Sequence, residues 1–109
     1  MSSDPNNVLK KLIEYSNKIN SKAFNLTRFL ILAITSYIKD GIQYRELKTL
    51  LNISDGKLKA NIDVLQEMGY INKIKVQVDQ KSMHIYMVTE SGSNELQKII
   101  EWIEILKKE

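Results

Sequence analysis

Apolar residues recur at helical spacing along most of the chain and at strand spacing in one stretch near its end. Val8, Leu12, Tyr15 and Ile19, with Leu9 and Ile13 beside them, face away from Lys10, Lys11, Asn17 and Lys18. That predicts an amphipathic helix over 8–19, entered through Asn6 or Asn7 as its cap after a polar start that frays, and broken at Asn20-Ser21-Lys22. A second helix starts around Asn25. Its centre is apolar on nearly every side, which places it through the core. Gly41 suits a left-handed residue ending that helix, and Lys39 suits its last turn. Ile42-Gln43 is too short for an independent strand.

Residues 44–71 read as two short helices and a tight turn. The first covers 44–51 and buries Leu47, Leu50 and Leu51. Asn52-Ile53-Ser54 forms the turn, with Ile53 plugged between the helices. Ser54 is a good N-cap, because its hydroxyl can accept a backbone N–H in the first turn, and Asp55 suits the positive end of the dipole. Leu58, Ile62 and Leu65 make the buried stripe of the second helix, Met68 flanks it, and Gly69 ends it. Then comes period-two alternation, with Tyr70, Asn72, Ile74, Val76 and Val78 on one side and Ile71, Lys73, Lys75 and Gln77 on the other. Residues 79–82 are a polar tip, and 83–89 return as a β-branched and aromatic strand. Thr89 or Ser91 caps a last helix over 90–108, striped by Leu96, Ile99, Ile100, Ile103 and Leu106 and widened by Trp102 and Ile105.

Two helices joined by a tight turn form a helix-turn-helix, a unit whose second helix commonly enters a DNA major groove. The following hairpin would be a wing, with 42–43 as the small first strand that pairs with it. The fold class is therefore α+β, mostly α, a winged helix-turn-helix with a two-stranded wing and an extra C-terminal helix, in a single domain over 1–109.

Composition narrows the function. In 109 residues, 43% are hydrophobic and 27% charged, as in ordinary globular proteins. Without cysteine there is no disulfide, thiolate metal site or thiol nucleophile. The start MSSDPNNV is no signal peptide, and the longest apolar run, 29–34, is far short of the roughly 20 residues that span a membrane. A cytoplasmic protein is expected, with no membrane partner. Net charge is +3. The hairpin holds Lys73, Lys75 and Lys81 against Asp79, while acids outnumber lysines after residue 89, so one side suits phosphates better than the other.

At about 100° per residue, Ala60, Asp63 and Glu67 point away from the buried stripe, with Lys57 and Lys59 on the shoulders. The N-terminal half of such a helix meets base edges, making Lys57, Lys59, Ala60 and Asn61 the candidate readers beside the Ser54 cap. Lysine can donate to guanine or phosphate, asparagine can pair with adenine, and alanine can touch a thymine methyl. Lys57 opposes the dipole of its own helix, a penalty that a phosphate would offset, although Asp55 also offsets it. Lys73, Lys75 and Lys81 suit phosphates, or equally protect an edge strand from aggregation. Arg45 is a further phosphate candidate. Asp63 and Glu67 repel phosphate and limit the footprint to the first two turns. The only histidine, His84, has no cysteine or acidic cluster near it in sequence. No nucleophile, paired-carboxylate or glycine-rich phosphate motif occurs, so no catalytic residue, metal or cofactor is implied.

The run from Leu51 to Ile71, L-x-I-S-D-G-K-L followed by Ile62, Leu65 and Q-E-M-G-Y-I, resembles the winged-helix transcriptional regulators of the MarR/ArsR-like group, the short single-domain prokaryotic type. Arg28-Phe29-Leu30-Ile31-Leu32 and Tyr86-Met87-Val88-Thr89-Glu90-Ser91-Gly92 extend the resemblance. The chain departs from the group's pattern at Lys59, Asn61 and Asp63, and it lacks the cysteine and histidine ligands of the metal sensors. The resemblance implies a homodimer. The apolar breadth of the last helix agrees, with Val8, Leu12, Tyr15 and Ile19 packing across a two-fold against Ile99, Trp102, Ile103 and Leu106. The same helices could instead pack within one chain. The expected function is a homodimeric, sequence-specific regulator of double-stranded DNA. The alternatives are a protein-interaction module, with Asp63 and Glu67 facing a basic partner, or an unspecific chromatin-type DNA binder. No operator, direction of regulation or small-molecule effector is named by the sequence.

Overall fold

The computed structural model describes residues 4–107. Helix α1 is Pro5–Ser16, followed by a single 3-10 turn at Ser21–Ala23 and helix α2 at Leu26–Tyr37. Strand β1 is Ile42–Gln43, α3 is Tyr44–Leu51 and α4 is Asp55–Glu67. Strands β2, Ile71–Val78, and β3, Lys81–Val88, precede α5 at Glu90–Ile105. The three antiparallel strands are ordered β1-β3-β2. The expected frame, α+β and mostly α with a helix-turn-helix, a wing and a further helix, is the observed one. The last helix, expected to reach 108, ends at Ile105 with Leu106 as its C-cap; residue 108 and the expected frayed start at 1–3 lie outside the described residues.

Several boundaries differ from the expected ones, each for a local reason. Asp4, rather than Asn6 or Asn7, caps α1, its side chain accepting the Asn6 N–H, and Pro5 takes the first helical position, where no N–H is needed. Helix α1 ends at Ser16, before Ile19. Asn25 does cap α2, accepting the Arg28 N–H, but α2 stops at Tyr37. Gly41 has the expected positive φ of 97°, yet it lies in the following loop, so Lys39 is not in a helical turn.

The core gathers Ile31 and Leu32 from α2, Ile42 from β1, Leu47 from α3, and Leu58, Ile62 and Leu65 from α4. Tyr70, Ile71, Tyr86 and Leu96 close it. Leu50, expected inside, is 60% exposed, whereas Leu51 and Ile53 pack partly against the core. Asn52 ends α3 in the left-handed region at φ 52°, a conformation asparagine tolerates, and so turns the chain into Ser54.

The wing is a register-matched ribbon, with Ile74 opposite Ile85 and Lys75 opposite His84. Its tip is the two-residue turn Asp79-Gln80, both at positive φ, so Lys81 and Ser82 belong to β3 rather than to the loop. Of the two sides of β2, the core takes the one beginning at Ile71, and takes only that residue. The ribbon then leaves the body, so the apolar side is open, with Ile74 38% and Val78 47% exposed.

Helix α5 is capped by Thr89, whose Oγ1 accepts the Gly92 N–H at 3.0 Å and donates to the Gly69 carbonyl at 2.6 Å. A Cβ on Gly92 would lie 2.2 Å from the Tyr70 carbonyl oxygen, so only glycine lets α5 approach the end of the helix-turn-helix this closely. Helix α1 lies antiparallel against α5, with Trp102 Nε1 donating to the Leu12 carbonyl at 3.0 Å and Lys98 Nζ to the Lys18 carbonyl at 3.4 Å.

Candidate nucleic-acid interface

Helix α4 is built as its spacing predicts. Ser54 Oγ accepts the Lys57 N–H at 3.2 Å, and Leu58, Ile62 and Leu65 are buried. The outward face carries Gly56, Ala60, Asp63 and Glu67, all exposed. Lys57 and Lys59 are exposed on its two shoulders, and the shoulders differ. Lys59 Nζ is 3.2 Å from Asp63 Oδ2, one turn on, and is tethered there; no ion pair holds Lys57 among the described residues.

The Lys59 shoulder faces the wing. Tyr44, Asp55, Lys59, Asp63, Gln66, Lys73, His84 and Tyr86 line a cleft of about 320 Å³ between α4 and the ribbon. The Lys73–Lys75–His84 side of the wing therefore turns toward the recognition helix, while its apolar side turns away. Lys48 of α3, not singled out from sequence, holds Asp55 at 3.7 Å, and Tyr44 Oη donates to the Asp55 carbonyl at 3.0 Å, fixing the start of α4 to α3. Burial pushes the Tyr86 hydroxyl above its usual 10.0; the Asp63 carboxylate adds to the shift and Lys59 opposes it. Tyr44 is raised as well, by burial first and then by Asp55. Arg45 is exposed in the first turn of α3, and Lys81 is exposed beside the wing tip, so both remain open to solvent.

Asn61 does not stand where a base reader must. It is 8% exposed, its Oδ1 accepts from Arg28 Nε at 2.9 Å and Asn25 Nδ2 at 3.4 Å, and its Nδ2 donates to the Lys57 carbonyl at 2.8 Å. Lys57 lies one turn earlier on the same shoulder, and that shoulder packs against α2 and the 3-10 turn. Sequence reasoning placed Asn61 by the stripe of α4 alone. It had no means of seeing Arg28, whose partner is 33 residues away. The nearest signal was the paired polar residues Asn25 and Arg28 at the mouth of an otherwise apolar helix.

The residues expected between two copies are largely used within one. Val8, Leu12, Tyr15, Ile19 and Trp102 are half-buried where α1 meets α5, and Ile99 is fully buried. Ile99 is thus unavailable to a partner, because its own core already covers it. Ile103 and Leu106 are open at 40% and 60%, as are Leu9 and Ile13 of α1 at 52% and 63%. Among the described residues no group of acidic or histidine side chains could hold a metal, and no helix is long and apolar enough to cross a membrane.

Comparison with known proteins agrees with this fold. No match is found among curated proteins. A solved structure of a transcriptional regulator homologue protein from Pyrococcus horikoshii OT3 is similar in fold, with a TM-score of 0.72 over 93% of this chain and 94% of that one, at 17% identity. The family described as winged helix DNA-binding domain matches residues 27–106, from the start of α2 through α5, and the chain belongs to that family.

Proposed function

We propose that the protein is a sequence-specific regulator of transcription that binds double-stranded DNA as a homodimer, as MarR/ArsR-like proteins do. Helix α4 enters the major groove and the wing lies on the backbone. The observation that carries this reading is the first half of α4. Gly56 and Ala60 make a low, exposed ridge there, flanked by Lys57 and Lys59, next to a wing whose lysine-bearing side faces the same way. Lys57, Lys59 and Ala60 are the base-contacting residues. Ser54, Arg45, Lys73 and Lys75 meet phosphates, whereas Lys81, opposite Val78, lies on the side of the wing that turns away and reaches a phosphate only past the tip. Asn61 is a positioning residue.

The dimer forms through the α1–α5 layer, using the apolar side chains that the chain leaves open, Leu9, Ile13, Ile103 and Leu106, with Val8, Leu12, Tyr15, Ile19 and Trp102 beneath them. Two recognition helices related by a two-fold would read half-sites about 34 Å apart, hence a pseudo-palindrome. A cytoplasmic location goes with this role. The likeness in fold to the Pyrococcus protein, a transcriptional regulator homologue, supports the same class.

The test is fluorescence anisotropy with a duplex from the gene's own upstream region and a scrambled duplex. The double substitution Lys57→Ala, Lys59→Ala abolishes preference for the first duplex with little change in melting temperature. Unchanged affinity would overturn the assignment. No binding to either duplex at low salt would favour a protein-interaction module instead, with exposed Asp63 and Glu67 against a basic partner.

A further inference from the structure

We propose that Arg28, flanked by Lys22, is a second phosphate-binding site, which takes the backbone strand on the side of α4 opposite the wing. The proposal rests on the DNA-binding reading above and extends it to the other wall of the groove.

The guanidinium is held without being neutralised. Arg28 Nε–H donates to Asn61 Oδ1 at 2.9 Å, and Nη1 donates to the Lys22 carbonyl. Asn25 accepts the Arg28 backbone N–H at 2.7 Å and steadies Asn61 from the other side at 3.4 Å. Every one of these acceptors is a neutral oxygen. Asn61 and the Lys22 carbonyl fix the plane and direction of the guanidinium and leave its charge intact. Among the described residues no carboxylate pairs with Arg28, Lys22 or Lys57, although carboxylates do hold Lys48, Lys59 and Lys98.

An arginine paired with a carboxylate, often in bidentate fashion, has its charge compensated within the protein. Here one neutral side chain, Asn61 at 8% exposed, and the Lys22 backbone carbonyl orient a cation whose remaining N–H groups have no acceptor among the described residues. Preorganised, planar and uncompensated, such a group is suited to a phosphate oxygen pair. The first-turn N–H of Arg28 is already bonded to Asn25, so the guanidinium, and not the helix end, is the site.

Its position also fits. A helix about 10–12 Å across fills a major groove about 12 Å wide and runs between two phosphate strands. The Lys59 shoulder of α4 looks toward the wing, and the Lys57–Asn61 shoulder toward Arg28 and the 3-10 turn. With the wing on one strand, the Arg28 site meets the other. Asn61, buried under Lys57, joins the recognition helix to this contact, so the depth of α4 in the groove is set from both sides.

The experiment is anisotropy across a salt series with the full chain, using the upstream duplex and the scrambled one, with melting temperatures taken for each variant. Arg28→Gln weakens binding to both duplexes by the same factor, roughly tenfold, and lowers the log K against log salt slope by about 0.9, one phosphate fewer. Arg28→Lys keeps the slope and recovers part of the affinity. A purely structural Arg28 would move the melting temperature and leave the slope unchanged, which overturns the site. If Arg28→Gln does not fold, Lys22→Ala carries the test, since that side chain is exposed; a wild-type slope there overturns the proposal equally. A wild type that binds neither duplex refutes the DNA reading itself, a different result from wild-type binding with an insensitive Arg28.

Discussion

Removing the Glu95 carboxylate should destabilise the protein more than any other single loss of charge. Glu95 is 2% exposed in α5. Its Oε2 accepts the Asn20 N–H at 2.7 Å, and its Oε1 accepts the Tyr70 hydroxyl at 3.1 Å and Lys98 Nζ at 3.4 Å. One side chain thus ties α5 both to the α1–α2 junction and to the turn between recognition helix and wing. In Glu95→Ala two sheltered donors lose their acceptor, each at about 1–3 kcal/mol. Lys98 is half-exposed and can turn to water, so its loss adds little. Relief of the buried charge offsets part of the sum, leaving a net loss of about 2–4 kcal/mol. For a domain of this size that is a fall in melting temperature of roughly 10–25 °C. Urea unfolding measures it directly, with an unchanged m-value expected. Tyr70→Phe, which removes one donor and keeps the ring, should lose about 1 kcal/mol, and the double mutant should be less destabilised than the sum of the two. A Glu95→Ala protein within about 0.5 kcal/mol of wild type would refute the assignment of net stability to this junction.

The glycine beneath the same junction makes a steric prediction. Gly92→Ala drives a methyl group onto the Tyr70 carbonyl and should destabilise by about 1–3 kcal/mol in urea, with wild-type stability counting against the close approach. Asp63→Asn frees Lys59 and removes a carboxylate from the exposed face of α4 proposed to enter the groove. Affinity for any duplex should rise roughly fivefold at low salt while the unfolding midpoint stays put, and weaker binding would mean that Asp63 positions Lys59 productively. Stability should also fall in alkali. Tyr70 is raised above 10.0 by burial, with Asn20 opposing and Glu95 adding, and Tyr86 by burial and then Asp63. The neutral hydroxyls therefore favour the folded state, whose stability is full below about pH 10 and is lost as pH rises through the folded-state values. A flat unfolding midpoint across about pH 9 to 12, or no flattening of the profile in Tyr70→Phe, would contradict this.

Much of the architecture was legible because it is written in local spacing. The stripe of Leu58, Ile62 and Leu65, the Ser54 cap and the positive φ of Gly69 together define α4 from residues within one element. The pairing of 42–43 with the wing came from the winged-helix arrangement and not from its own two residues, which are too few to mark a strand. Helix ends were less so. Pro5 and Asp4 moved one start, and Tyr37 ended α2 before the glycine that marked its expected stop. The wing misled in a different way. Its alternation was real, but alternation says only that two sides differ, and a ribbon projecting from the body leaves its apolar side in solvent.

What the sequence determined by itself was the set of elements and the outward direction of the recognition helix, because both follow from spacings of a few residues. Tertiary structure alone decided which polar groups remain available. Asn61 looked free by its place on α4, yet Arg28 of α2 claims it. Glu95 is one of the acids that outnumber lysines after residue 89, and nothing in the local pattern sets it apart, yet it is buried and bonded to Asn20 and Tyr70. In each case the deciding partner lies at least 25 residues away, in an element whose approach no local pattern encodes. A buried hydrogen-bonding group must be satisfied by whatever packing brings to it, and packing is a property of the assembled chain.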